Sequence, residues 1–150
     1  MLKISKLTDY STVVMAYLAQ YSERLHNAKD ITAQTHIALP TVSKILKALT
    51  KSGLLISHRG AHGGYTLANK AMSISVADII TAMEGKPGLT ECSHNNMLCA
   101  LQPTCAISGN WQTISSIVYE TLQKISLQDM VLLKGHRLQN HFEEGGVRHG

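Results

Sequence analysis

Ala38-Leu39-Pro40-Thr41-Val42-Ser43-Lys44-Ile45-Leu46-Lys47-Ala48-Leu49-Thr50-Lys51-Ser52-Gly53 is the stretch that decides the fold. Val42, Ile45, Leu46 and Leu49 fall at i, i+3, i+4 and i+7, which makes one apolar stripe on a helix. Pro40 suits the first helical position, where a missing N–H costs nothing. Gly53 suits the position just past the last turn. The opposite face carries Thr41, Ser43, Lys44, Lys47 and Lys51. One face is therefore built for a core and the other for an anionic partner.

Working downstream, Leu54–His58 and Tyr65–Ala68 read as two short strands. Arg59-Gly60-Ala61-His62-Gly63-Gly64 lies between them, and three glycines in six residues permit close approach of the backbone. Working upstream, Leu7, Tyr10, Val14, Tyr17, Leu18 and Tyr21 recur at helical spacing, which predicts a helix from Thr8 to Ser22. Glu23 to Asp30 is polar and should break it. Ile31–Ile37 reads as a second, short helix capped by Thr32. Short helix, turn, helix with a polar face, then hairpin is the pattern of a winged helix-turn-helix.

The charge distribution agrees. Residues 1–60 carry eight Lys or Arg against three acids, a net of +5, while the whole chain of 150 residues carries +4. The basic end is the one with the helix-turn-helix, as nucleic-acid binding requires. Thr41 and Ser43 are small enough to approach base edges or phosphates, Lys44 can reach either, and Lys47 and Lys51 are placed for phosphates. Arg59, flanked by glycine, suits a narrow minor groove. An arginine left in solvent at a turn is the alternative. His58 and His62 adjust the wing rather than define sequence.

Ser75-Val76-Ala77-Asp78 matches a capping box, and Val76, Ile79, Ile80 and Met83 follow as an apolar stripe ended by Gly85. Residues 86–107 lack periodicity and contain Pro87, Gly88 and Pro103, so a long loop is expected. A last long helix begins near Ser108, with Trp111 at its start and Ile114, Ile117, Val118, Leu122 and Ile125 as its stripe. Residues 134–150 are rich in Gly and His, which suggests a frayed tail. The expected plan is mainly α with a small β-wing. The DNA-binding domain spans 1–85, a cysteine-bearing loop 86–107, a last long helix 108–133 and a disordered tail 134–150.

The chain has three cysteines, all within residues 92–105. An odd number argues against a disulfide framework. Thiolates bind soft metals and iron–sulfur clusters, and a loop lets Cys92, Cys99 and Cys105 converge. The spacing is looser than that of zinc fingers, although His94 is available to complete a Cys3His zinc set. Three thiols leave a four-ligand cluster one short. Asp9 is a candidate for the missing ligand, since it lies about 140° round the helix from Val14 and faces away from the apolar stripe. On the residues alone it reads first as a favourable acid in a first helical turn.

Together these residues resemble the Rrf-two family of winged-helix regulators, which includes the IscR, NsrR and RirA types. The likeness covers residues 1–133. It rests on Leu54-Leu55, on Arg59-Gly60-x-x-Gly63-Gly64-Tyr65-x-Leu67-Ala68, on Ser75-Val76-x-Asp78-Ile79-Ile80 and on the cysteine triplet. Within the family the chain is most similar to the regulators of SUF-type iron–sulfur assembly. The resemblance implies a homodimer whose long C-terminal helices cross, and a 2Fe-2S or 4Fe-4S cluster on the cysteine loop that controls DNA binding. It also implies that the region of Pro40, Thr41, Ser43 and Lys44 enters the major groove while Arg59 enters the minor groove. Two positions depart from the IscR type: Ser108 stands where that type has a ligating histidine, and Ser43 where it has an acid that selects targets. Thr8-Asp9-Tyr10 is instead similar to the NsrR type, where the aspartate ligates the cluster from the partner subunit.

The expected function is cluster-dependent repression of SUF-type assembly genes, with double-stranded DNA, in a two-fold symmetric operator, and a second copy of the chain as partners. A nitric-oxide or redox sensor of the same fold is the nearest alternative. A thiol enzyme would need a base and a pocket, and only Cys92 and His94 hint at one. No small-molecule substrate is expected. No apolar run reaches the roughly 18 residues of a membrane span and Met1–Lys6 lacks a signal-peptide core, so the cytoplasm is the expected compartment.

Overall fold

The computed structural model describes residues 3–90, 93 and 104–132. The expected tail, together with Cys92, His94 and Cys99, lies outside the described residues.

Helix α1 runs Lys6–Gln20, two residues earlier at each end than the periodicity predicts. Ser5 caps it, its hydroxyl accepting the Thr8 N–H, so that Thr8 falls inside the first turn. Helix α2 is Ala28–Thr35 rather than Ile31–Ile37. Its cap is Asn27, not Thr32. The Asn27 side chain accepts the Asp30 N–H and the Asp30 carboxylate accepts the Asn27 N–H, a reciprocal pair that satisfies two orphan donors. The Thr32 hydroxyl is instead buried inside the helix and has no hydrogen-bond partner there. The polar stretch expected to separate the helices thus supplies the start of the second one.

His36 ends α2 in the left-handed region, at φ 58, and makes the tight turn into α3, Leu39–Lys51. Val42, Ile45, Leu46 and Leu49 are each fully buried, as their spacing requires. Gly53, with φ 81, follows the Ser52 cap and turns the chain into the wing. Strands β1, Leu55–His58, and β2, Gly64–Leu67, pair antiparallel from Leu55 opposite Leu67 to His58 opposite Gly64.

A single 3-10 turn at Ala71–Ser73 leads to α4, Val76–Glu84. The predicted capping box is present, the Asp78 N–H donating to the Ser75 hydroxyl at 3.1 Å and the Ser75 N–H to the Asp78 carboxylate at 2.8 Å. One helix was expected over 108–133, and there are two: α5, Ser108–Gln123, and α6, Leu127–Leu132. Two forces make the break. Ser126 and Asp129 form a capping box of their own, with the Asp129 N–H donating to the Ser126 hydroxyl at 3.0 Å and the Ser126 N–H to the carboxylate at 2.9 Å. The main chain on either side is taken up by the start of α4, Val76 N–H reaching the Ile125 carbonyl at 2.9 Å and Leu127 N–H reaching that of Ile74 at 2.7 Å. Leu127 is buried completely, and α6 packs back against α1.

The core gathers Val14, Met15 and Leu18 of α1, Ile31 of α2, the stripe of α3, Leu55 of the wing, Ile79 of α4 and Leu127 of α6. Each aliphatic side chain so buried contributes about 1.5–3 kcal/mol, which outweighs the few tenths separating alternative helix boundaries. Helix α5 stands apart from this core. Ser115 is its one buried residue, while Trp111, Ile114 and Ile117 are 37%, 42% and 57% exposed. No helix among the described residues is long and apolar enough to cross a membrane.

Candidate functional site

The polar face of α3 is solvent-facing along its length. Pro40, Ser43, Lys44, Lys47 and Lys51 are exposed and Thr41 is half-buried at the N-terminal turn. The first turn of α3 has no side-chain cap, since Ala38 occupies that position. Pro40 has no N–H, and the Thr41 and Val42 N–H groups already donate to the Ala38 carbonyl at 2.9 and 3.0 Å, so what this end of the helix offers a phosphate oxygen beside Thr41 and Ser43 is the positive end of its dipole.

Arg59 follows the last paired residue of β1, beyond His58 opposite Gly64, and is exposed. His58 is tied down, its Nε2 lying 3.0 Å from the Thr66 hydroxyl on the neighbouring strand. The structure thus brings Pro40, Thr41, Ser43, Lys44 and Lys47 together on one helix face and sets Arg59 apart on a projection of the backbone. That matches the demand for one element in a groove and a second reaching the flanking duplex.

The glycines of the wing have distinct duties. A Cβ at Gly64 would sit 2.8 Å from the carbonyl carbon and oxygen of His26, and one at Gly63 would meet the His58 carbonyl oxygen. Both positions are closed to larger residues by neighbouring backbone. The close backbone approach that the glycines permit is used at Gly64 to dock the hairpin. His26 itself was missed. It is 1% exposed, and its main chain exchanges hydrogen bonds with Tyr65 at 3.3 and 2.8 Å. No periodicity marks a histidine in a polar connector, so the sequence offered no signal for it.

The thiol site is described in part. Cys105 is a free, half-buried cysteine just before α5, and its carbonyl accepts the Ser108 hydroxyl at 3.2 Å. The other end of the loop is also fixed to α5, where Leu89 N–H donates to the buried Ser115 hydroxyl at 3.2 Å. Asp9 is exposed in the first turn of α1. Just beside it, Glu84 at the end of α4 accepts the Ser5 N–H at 2.8 Å and the Thr8 hydroxyl. The Ser5 side chain first, the Thr8 hydroxyl next and the Ser5 N–H last hold the Glu84 carboxyl below its ordinary range, against the opposing effect of burial. An acid is disfavoured at the C-terminus of its own helix. Here it serves the N-terminus of another, a pairing that sequence reasoning also missed. Among the described residues, no three His, Cys, Asp or Glu side chains gather into a metal site.

A basic helix-turn-helix followed by a docked two-stranded wing defines a winged-helix DNA-binding regulator. The chain belongs to the Rrf2 family, described as iron-dependent transcriptional regulators, whose model matches residues 4–132. It is 30% identical over 131 residues to protein rrf2 of Nitratidesulfovibrio vulgaris, an alignment covering 87% of both chains. Among solved structures, it superposes on CymR, the global cysteine regulator of B. subtilis, with TM-score 0.67 and 31% identity, covering 87% of this chain and 97% of that one. It superposes on T. potens IscR with TM-score 0.65 and 28% identity, covering 98% and 93%. These relatives are regulators of transcription rather than enzymes, so the thiol-enzyme alternative falls.

Proposed function

We propose that this protein is an iron–sulfur-responsive repressor of SUF-type cluster assembly genes. Cys92, Cys99 and Cys105 would hold a 2Fe-2S or 4Fe-4S cluster, with Asp9 contributed by a second copy of the chain. Thiolates and a carboxylate are donor types such iron accepts, and Cys105 is free to serve. The bound group would supply a ligation state that responds to iron supply and oxidants.

The remaining steps belong to the protein. One observation carries the reading: both ends of the thiol loop are anchored on α5, through Leu89–Ser115 and Cys105–Ser108. Helix α5 in turn leaves Trp111, Ile114 and Ile117 uncovered on one chain, an apolar face suited to a second copy. A change in the loop would therefore bias the dimer, and the dimer sets the spacing of its two α3 helices. Pro40, Thr41, Ser43, Lys44 and Lys47 enter the major groove, and Arg59 enters the flanking minor groove. A dimer of this kind reads a two-fold symmetric site.

The test is anaerobic purification after growth with ample iron. A coloured, iron-containing dimer is expected, whose affinity for a duplex selected by wild-type protein from a random library differs between the loaded and stripped states. A colourless protein would refute the cluster. Equal affinity in the two states would leave a plain repressor.

A further inference from the structure

The imidazole of His26 lies where three segments meet. Its Nε2 is 2.8 Å from the Tyr21 carbonyl oxygen, and its Nδ1 is 3.1 Å from the Tyr17 hydroxyl. A carbonyl only accepts, so Nε2 carries the hydrogen. In the neutral ring Nδ1 is then a lone-pair acceptor, to which the Tyr17 hydroxyl donates. The rings of Tyr17 and Tyr21 meet the imidazole edge-on, at centroid distances of 4.9 and 6.4 Å. The side chain is thereby bound to the last turn of α1, where Tyr21 is the cap.

The main chain of the same residue is bound to the wing. His26 exchanges both hydrogen bonds with Tyr65, and Gly64 lies directly against it. Strand β2 thus has β1 on one side and residue 26 on the other. Any residue could make the backbone exchange. An apolar side chain of similar size would fill the space yet strand the Tyr21 carbonyl and the Tyr17 hydroxyl. Both demands are met by a neutral imidazole with one donor and one acceptor.

We infer that His26 is a positioning residue for DNA recognition: it fixes the connector to α1, so that the connector holds β2, and with it Arg59, at a set distance from α3. This rests on the reading that Arg59 meets the duplex. His26 itself faces the protein interior and acts only through the wing.

A double-mutant cycle on the full-length protein tests it, with a duplex selected by wild-type protein from a random library as the probe. His26→Leu should weaken binding about tenfold, a typical cost of one lost groove contact. In an Arg59→Ala background the same change should cost little, because the contact it positions is already gone. Amide exchange at Tyr65 and Thr66 should quicken while that of α4 stays as in wild type. His26→Gln, which keeps an N–H for the Tyr21 carbonyl, should recover part of the affinity. Tyr17→Phe removes only the Nδ1 partner and serves the same cycle if His26→Leu fails to fold. Losses that multiply independently, or wing amides that stay protected, would overturn the clamp while sparing the Arg59 contact. An Arg59→Ala protein that binds as wild type would instead overturn that contact, and the positioning role with it.

Discussion

The backbone of His26 lies against Gly64 so closely that a single added carbon at 64 would fall 2.8 Å from the His26 carbonyl group. The wing is held next to its tip, where Gly64 faces His58, by that approach as well as by the hydrogen bonds between β1 and β2. Small hairpins are marginal alone, and a third neighbour for β2 is what makes this one a dependable platform.

Gly64→Ala should therefore damage the wing without touching the core. Overpacking of this kind costs about 1–3 kcal/mol. Urea unfolding should show a lower midpoint, and duplex binding should fall more than the stability loss explains. Gly109→Ala is the control, since a Cβ there meets nothing within 4 Å. Equal behaviour of the two variants would refute the docking role of Gly64.

Lys44→Ala and Arg59→Ala should each weaken binding of the selected duplex while leaving any visible absorption of the loaded protein unchanged. A lysine that touches only phosphate contributes about one unit to the salt dependence of log affinity. Lys47→Ala is expected to lower that slope and weaken all sequences alike. Arg59→Ala should cost most on duplexes with A·T-rich flanks. Loss of colour in either Lys44→Ala or Arg59→Ala would contradict a separation of the two sites.

Asp9→Ala and Cys105→Ala should both reduce cluster content in anaerobically isolated protein, while His94→Ala should not. Absorption and iron-to-protein ratio decide the matter. A His94→Ala protein that loses its metal while Asp9→Ala keeps it would replace Asp9 with His94 as the fourth ligand.

Glu84 makes stability depend on acid. Its folded pKa lies below its unfolded value, because Ser5 and Thr8 donate to the carboxylate. The contribution is fully present at neutral pH, above the unfolded value, and is lost as the pH falls through the folded one. Because the side chain is exposed, solvent screening limits it to about 0.5–1 kcal/mol. Glu84→Ala should be less stable than wild type at pH 7, with the gap closing on acidification. A gap that widens toward low pH would show that the hydrogen bonds do not favour the ionised form.

Ile114→Glu together with Ile117→Glu should produce a monomer in sedimentation, with α1–α4 still folded, because both side chains are 42% or more exposed on one chain. A variant pair that stays dimeric would place the subunit contact elsewhere.

The DNA-facing half of the molecule was readable early. The stripe of Val42, Ile45, Leu46 and Leu49 can satisfy only one helical phase, and Gly53, Ser75 and Gly85 mark ends by local geometry alone. Helix α2 was misjudged because Thr32 and Asn27 are both plausible caps, and only the reciprocal bond with Asp30 separates them. Ser126 and Asp129 carried a readable capping box that the continuous apolar stripe of 114–125 overshadowed.

What the sequence determined by itself is everything that depends on neighbours a few residues apart: periodicity, caps, the wing's glycine pattern, the basic end and the presence of three thiols. Tertiary structure alone decided the placement of His26 beneath the wing, the use of Glu84 to cap a helix 79 positions away, and the folding back of α6 onto α1. The physical reason is range. A helix or turn is set by hydrogen bonds and side chains within one or two turns, whereas these pairings exist only once separate elements have buried their apolar faces together and brought distant polar groups into contact.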